Sequence, residues 1–299
     1  MKIGISIPNN WGVEDATHLI DVAVRAEESG LAAVWTSEHL INTSYVRSRI
    51  GDRPYYHPLA ILSCVAGCTK RIELGTSVIV LPFHNPFDLA KYIATLDQLA
   101  RGRVIFGVGV GNVREEFEAL NIPWNRRGAM TDESIAVMRT LWREGVATHR
   151  GEFWNFSGIH TSPKPFGNRE IPIWIGGMSV PALRRVASVG DGWQPTGITA
   201  EEFRQQTEEI QSLATAYGRD PSAIRLCMRF NIALGNEVIT DVERRSTVRG
   251  DDLDGIIATA EAFAQAGATD FIYALNSNDK AALDRTIDVL ARELLPRFA

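Results

Sequence analysis

Lysine is scarce in this chain: of 31 basic residues only five are lysines, Lys2, Lys70, Lys91, Lys164 and Lys280. Cysteine is scarcer still. Three cysteines make no disulfide framework. Cys64 and Cys68, one helical turn apart in an apolar stretch, read as small core residues rather than as a redox or metal pair. A basic excess is missing too: 31 Lys and Arg against 36 Asp and Glu leave a net charge of −5, which argues against a general nucleic-acid binder. No run of about 18 apolar residues is present to span a membrane. The opening MKIGISIPNN, broken by Ser6 and Pro8, is too short for the apolar core of a secretory leader. There is no His-x-His on the first apolar run, no HExxH, no Cys/His cluster and no G-x-S-x-G, so signatures of metallo- and serine hydrolases are lacking. The expectation is a cytoplasmic protein without nucleic-acid, membrane or metal partners.

What is present is a rhythm. Short β-branched apolar runs alternate with longer amphipathic stretches. Strands are predicted at 3–8, 32–36, 72–81, 104–110, 172–175, 192–195, 224–234 and 270–275. Helices are predicted after each of them, at 14–29, 58–69, 87–100, 114–120 with 131–144, 180–189, 200–217, 253–266 and 280–295. Strict βα alternation implies a parallel sheet with crossover helices. Eight units is the number that closes a barrel, with a doubly wound open sheet as the alternative. The fold class expected is therefore α/β, a (β/α)8 TIM barrel forming one domain over 1–299. Residues 145–170, with Phe153, Trp154 and Phe156, interrupt the rhythm between the fourth and fifth strands. That segment is too apolar for a linker and reads as a packed insertion.

In such a barrel the site lies at the carboxyl ends of the strands. No lysine stands there, which removes Schiff-base chemistry, since that needs a buried strand-end amine. Gly107, Gly109 and Gly111 are spaced G-x-G-x-G and follow three βα units. They fit a Rossmann turn poorly and suit a strand end where a flat ligand approaches bare backbone. Gly176, Gly177, Met178 and Ser179 lead a buried strand into a helix, either as an anion-binding loop or as a plain glycine turn with a serine cap. Thr76 and Ser77 are polar residues inside an apolar strand, and a bound ligand's carbonyls and ring nitrogens are suitable partners for them. His39, beside Glu38 at a strand end, is the candidate acid/base. Trp11, Phe83, His84 and Trp193 follow other strands and are expected to border the substrate.

Four long segments carry a family resemblance: VWTSEH (34–39), LGTSVIVLPFHNP (74–86), GRVIFGVGVGNVREEFEALNIP (102–123) and PIWIGGMSVPALRRVASVGDGWQP (172–195). In this order they make the chain resemble the bacterial-luciferase-like superfamily, in its single-domain F420- or flavin-dependent oxidoreductase branch. The resemblance implies a (β/α)8 barrel holding F420 or FMN at its carboxyl face. It places a non-proline cis peptide at Ser77–Val78 behind the ring. Thr76, Gly107, Gly109, Gly111 and Asn112 then lie around the ring, and residues 176–179 become the cofactor-phosphate loop. His39 matches the histidine of the family's Ser-Asp-His stretch, with Glu38 replacing the aspartate. One position departs from the sugar-phosphate dehydrogenases of the branch, which carry a glutamate proton donor after the third glycine. Asn112 cannot exchange a proton. Without strand-end lysines to hold a sugar phosphate either, a sugar-phosphate substrate is disfavoured, and a less polar small molecule is expected, given Trp11, Phe83, Trp193 and the aromatic insertion.

The preferred function is F420-dependent hydride transfer with His39 as acid/base. The alternatives are oxygenation by reduced FMN, delivered by a separate flavin reductase, and non-catalytic flavin binding. Members of the family are often dimers, so a homodimer is expected, and helix 58–69 is apolar enough to serve as its face.

Overall fold

The computed structural model describes residues 1–234 and 247–298. Its strands are β1 (Lys2–Ser6), β2 (Ala33–Thr36), β3 (Glu73–Thr76), β4 (Ile79–Val80), β5 (Val104–Gly109), β6 (Ala147–Arg150), β7 (Asn155–Ile159), β8 (Ile173–Gly176), β9 (Gly192–Gln194), β10 (Arg225–Ala233), β11 (Thr247–Arg249) and β12 (Asp270–Asn276). The helices are α1 (Thr17–Glu28), α2 (Ser44–Ile50), α3 (Pro58–Cys68), α4 (Pro86–Leu99), α5 (Arg114–Ala119), α6 (Arg127–Arg143), α7 (Val180–Val189), α8 (Ala200–Ala216), α9 (Leu253–Gln265), α10 (Lys280–Val289) and α11 (Leu295–Phe298).

Eight parallel staves close a ring in the order β1, β2, β3 with β4, β5, β8, β9, β10, β12. Pairing of Gly192 with Arg225 joins β9 to β10, and pairing of Lys2 with Asp270 joins β12 back to β1. The chain therefore forms the (β/α)8 barrel, not the open sheet. The third stave is split into β3 and β4 at the Ser77–Val78 peptide bond, which is cis, as the resemblance implied.

Strand side chains alternate between the helix layer and the barrel interior. The outward set, such as Ile3, Ile5, Val34, Leu74, Phe106, Ile173, Ile175 and Phe230, packs under the helices in one continuous core. The inward set begins with a floor of Ala33, Trp35, Ile105, Trp174, Cys227 and Ile272. The Trp35 and Trp174 rings lie 5.0 Å apart and fill the barrel at this level. They fit because Gly75 and Gly192 have no side chain: a Cβ on Gly75 would strike the Trp35 ring, and one on Gly192 would stand 2.6 Å from Trp174. Two residues further along the same strands, the inward positions become Ser37, Gly107, Gly176, Gln194 and Arg229. Small and polar residues above a tryptophan floor leave a cavity at the carboxyl end.

The insertion is an antiparallel hairpin of β6 and β7. It lies outside the ring, where Phe87 at the start of α4 packs on Trp154 and Phe156, with ring centres 5.9 and 4.9 Å apart. Glu133 of α6 accepts the backbone N–H groups of Glu152, Phe153 and Trp154 at its tip. The insertion's aromatics thus serve the helix layer and stand away from the barrel mouth.

One expectation changes here. Cys64 and Cys68 are exposed, not core; only Cys227 is buried. Helix α3 turns Leu59, Ile61, Leu62, Val65 and Ala66 inward, and positions one turn apart at 64 and 68 share the opposite side. Its large apolar residues thus pack toward the barrel. Helix α2 and strand β11 were also unforeseen. Among the described residues no helix is long and apolar enough to cross a membrane.

Candidate active site

The cavity above the floor holds about 370 Å³ and opens at the carboxyl ends of the staves. One wall is nearly bare backbone. Val78 projects between β5 and β8, where a Cβ on Gly109 would stand 2.6 Å from its Cγ2 and one on Gly176 would stand 2.9 Å from its Cγ1. Gly107 is equally constrained, because a Cβ there would strike the Thr76 carbonyl and the Gln194 amide. Gly111, with φ of +78°, turns the chain at the end of β5 against Phe117. These glycines allow two strands to close on Val78 and leave a flat, apolar-backed slot. Gln194 donates from Nε2 to the Thr76 carbonyl at 3.2 Å, while its Oε1 is buried without a partner on the cavity wall.

Two histidine–glutamate pairs are interlocked beside the slot. Neighbouring Glu38 and His39 point apart, and each finds its partner on another loop. Glu38 accepts from His84 Nε2 at 2.9 Å and from the Val80 backbone N–H at 2.8 Å, which ties the β2 loop to the third stave. His39 Nδ1 lies 2.7 Å from Glu116 Oε2, and Glu116 Oε1 accepts the Leu40 N–H at 2.9 Å. A buried carboxylate is an acceptor only, so Nδ1 carries a proton, and in the neutral imidazole the lone pair is left on Nε2.

Of the residues singled out from sequence, His39, Ser77, Val78, Gly109, Gly111, Asn112, Gly176, Gly177 and Met178 line this cavity. Thr76 and Gly107 lie just behind it, where the Thr76 hydroxyl donates to the Gly107 carbonyl at 2.7 Å. Thr76 is thus satisfied within the barrel and needs no ligand. Ser179 is the N-cap of α7 but its side chain makes no capping bond, and Pro181 removes one donor from the first turn.

The four residues expected around the substrate stand elsewhere. Trp193 is wholly buried, stacks on Phe203 of α8 at 5.0 Å, and donates from its indole to the Gly177 carbonyl at 2.8 Å. It points outward because inward-facing Gln194 follows it. Phe83 packs on Phe117 at 4.9 Å, His84 is taken by Glu38, and Trp11 lies behind the Arg49 guanidinium. None of these four, and no residue of the insertion, lines the cavity, so the aromatics that suggested a substrate of low polarity are not part of its wall.

Sequence reading missed Glu116, Arg49, Tyr45, Tyr55 and Arg229 and gave strand-end Gln194 no role, though all six are on the cavity wall. One signal was available. Along β10, Arg225, Cys227, Arg229 and Asn231 alternate with Leu226, Met228, Phe230 and Ile232, so one face of this strand carries polar groups into the barrel.

Comparison with known proteins agrees with this geometry. The family profile described as luciferase-like monooxygenase matches residues 1–284. An F420-dependent glucose-6-phosphate dehydrogenase of Amycolatopsis mediterranei is 33% identical over 179 residues, 58% of this chain and 52% of that protein. The oxygenase component of a flavin-dependent trigonelline monooxygenase from Acinetobacter baylyi is 30% identical over 161 residues, 52% of this chain and 42% of that protein. The matches thus span about half the length of these curated relatives. Among solved structures, an F420-dependent secondary alcohol dehydrogenase in complex with an F420–acetone adduct superposes with a TM-score of 0.84 at 20% identity, over 100% of this chain and 99% of its own. By the profile match across nearly all of its length, the chain belongs to the luciferase-like monooxygenase family.

Proposed function

We propose that this protein is an F420-dependent oxidoreductase that interconverts a carbonyl and an alcohol, with His39 moving the proton. The observation that carries the proposal is the His39–Glu116 pair on the cavity wall: hydride transfer at a carbonyl carbon requires a proton at its oxygen, and a tautomer-fixed imidazole meets that need. The slot suits a flat tricyclic ring. Val78 and the bare backbone of Gly109 and Gly176 form its back, and the unpartnered Gln194 Oε1 offers an acceptor to a ring N–H. Gly177 and Met178 are exposed ahead of α7, with backbone suited to the ring's phosphate-bearing chain. F420, when bound, supplies or accepts the hydride.

The chain's own residues do the rest. Glu116 holds His39 in the tautomer whose Nε2 accepts a proton from a substrate hydroxyl, and stabilises the imidazolium that results. In the reverse direction the imidazolium returns the proton. Asn112 orients by hydrogen bonding without exchanging protons.

Titration of the purified protein with F420, FMN and FMNH2, followed by fluorescence, tests the assignment. Micromolar F420 binding is expected. Binding of FMNH2 with no affinity for F420 would overturn it, and would favour instead an oxygenase supplied by a separate flavin reductase.

A further inference from the structure

The cavity has a cationic side. Arg49 of α2 and Arg229 of β10 both border it, and among the described residues neither meets a carboxylate. Arg49 is held flat by aromatic rings, its guanidinium 4.7 Å from the Tyr45 centre and 5.7 Å from that of Trp11. Arg229 has a single side-chain bond, from Nη1 to Asn231 Oδ1 at 3.3 Å. The Nε atoms of both arginines and the hydroxyl of Tyr55 are buried with no hydrogen-bond partner. Burial pushes the Tyr55 phenol up, which keeps it a donor, and burial lowers the Arg229 guanidinium although it stays charged.

Among the described residues, the acids on this cavity wall are already engaged. Glu38 is engaged by His84 and Val80, and Glu116 by His39 and Leu40. Three enclosed donors and two positive charges therefore share a wall on which, among the described residues, these donors meet no acceptor. Such groups are costly to bury unless something pairs with them, and a guanidinium fork matches the two oxygens of a carboxylate. The glycine slot lies on β4, β5 and β8, whereas the arginines come from β10 and from the helix after β2. The ring and the anion thus have separate places.

We propose that the substrate carries a carboxylate, bound by Arg49, Arg229 and Tyr55 beside the slot. The substrate class is thus a small hydroxy or oxo acid, an assignment that rests on the carbonyl–alcohol chemistry proposed above.

Calorimetric titration with benzoate and benzamide separates charge from shape, because the probes share a ring and differ in the anionic group. Wild-type protein, with and without F420, should bind benzoate about tenfold or more tightly than benzamide, the worth of one charge-assisted hydrogen bond. Arg229→Met and Arg49→Met should each erase most of that preference and leave F420 and FMN titrations unchanged. Equal wild-type affinity for the two probes overturns the proposal whether or not the variants fold. So does a variant that loses cofactor affinity while keeping the benzoate preference, since the arginines would then serve the cofactor's phosphate. A benzoate preference in a protein that binds neither cofactor supports the anion site and rejects the F420 assignment instead.

Discussion

Changing Glu116 to glutamine should invert the tautomer of His39. The wild-type carboxylate sits 2.7 Å from His39 Nδ1 and 2.9 Å from the Leu40 nitrogen, almost fully enclosed. An amide of the same shape keeps its oxygen on one donor and turns its NH2 toward the other. Facing that NH2, His39 Nδ1 must accept, and the ring proton moves to Nε2, where the substrate oxygen would be. The lost charge costs about 1–2 kcal/mol of stability and, with the lone pair turned away from the substrate, about 10²–10⁴ in turnover. Glu116→Ala is harsher, since it leaves two buried donors unpaired, at about 3–5 kcal/mol. At roughly 2–3 °C per kcal/mol for a chain of this size, its melting temperature should fall by about 6–15 °C. Long-range 1H–15N correlation spectra report the tautomer directly, and need no substrate. A Glu116→Gln protein with the wild-type His39 pattern, together with a Glu116→Ala protein melting within about 1 °C of wild type, would refute this account of the pair.

Other substitutions probe the slot, its support and the frame. Gly109→Ala places a Cβ 2.6 Å from Val78 Cγ2; the required shift costs about 1–3 kcal/mol, and F420 affinity should fall about tenfold or more, so unchanged affinity would place the ring elsewhere. Trp193→Phe removes the indole bond to the Gly177 carbonyl and should weaken cofactor binding by about 1 kcal/mol with little loss of melting temperature; a large melting loss without change in affinity would contradict it. Asp97→Ala strips the partner from Arg169 and from the Phe166 N–H behind the insertion; a drop of about 3–5 kcal/mol in denaturant unfolding is expected, with cofactor affinity retained.

Burial alone would raise the Glu27 carboxyl, but the N–H groups of Ile72, Arg71 and Lys70 outweigh it and hold the group below its ordinary 4.5. A depressed pKa stabilises the fold fully above the unfolded value and loses that stabilisation as pH falls through the folded one. Glu27→Gln should therefore be less stable at pH 7, by about 1–3 kcal/mol, and its stability should fall less steeply below about pH 4.5. Parallel acid limbs for the two proteins would disprove the linkage.

Much of the site's address was legible. Glycines at 107, 109 and 111 and at 176 and 177 mark strand ends without side chains, and bare strand ends are where the cavity forms. His39 was legible for the same reason, as a titratable group directly after a strand. Its partner was not: Glu116 is distant in sequence, and adjacent Glu38 is engaged by His84 instead. Arg49 and Tyr45 escaped because α2 has only seven residues, too few for a periodic pattern, its start marked solely by the Thr43 side chain capping the Val46 N–H. Trp193 misled for a simpler reason. Proximity to a strand end does not say which face a side chain takes, and one residue of register separates the core from the cavity.

By itself the sequence determined the eight βα units, the glycine-bare strand ends and the absence of a strand-end lysine. These follow from local periodicity, backbone freedom and residue type, which are properties of short windows. Tertiary structure alone decided that Trp35 and Trp174 form a floor, that His39 answers to Glu116, and that Arg49, Tyr55 and Arg229 border one cavity with donor atoms that find no acceptor among the described residues. Those outcomes depend on which side chains ring closure brings within reach of one another, and on which buried groups then find no partner.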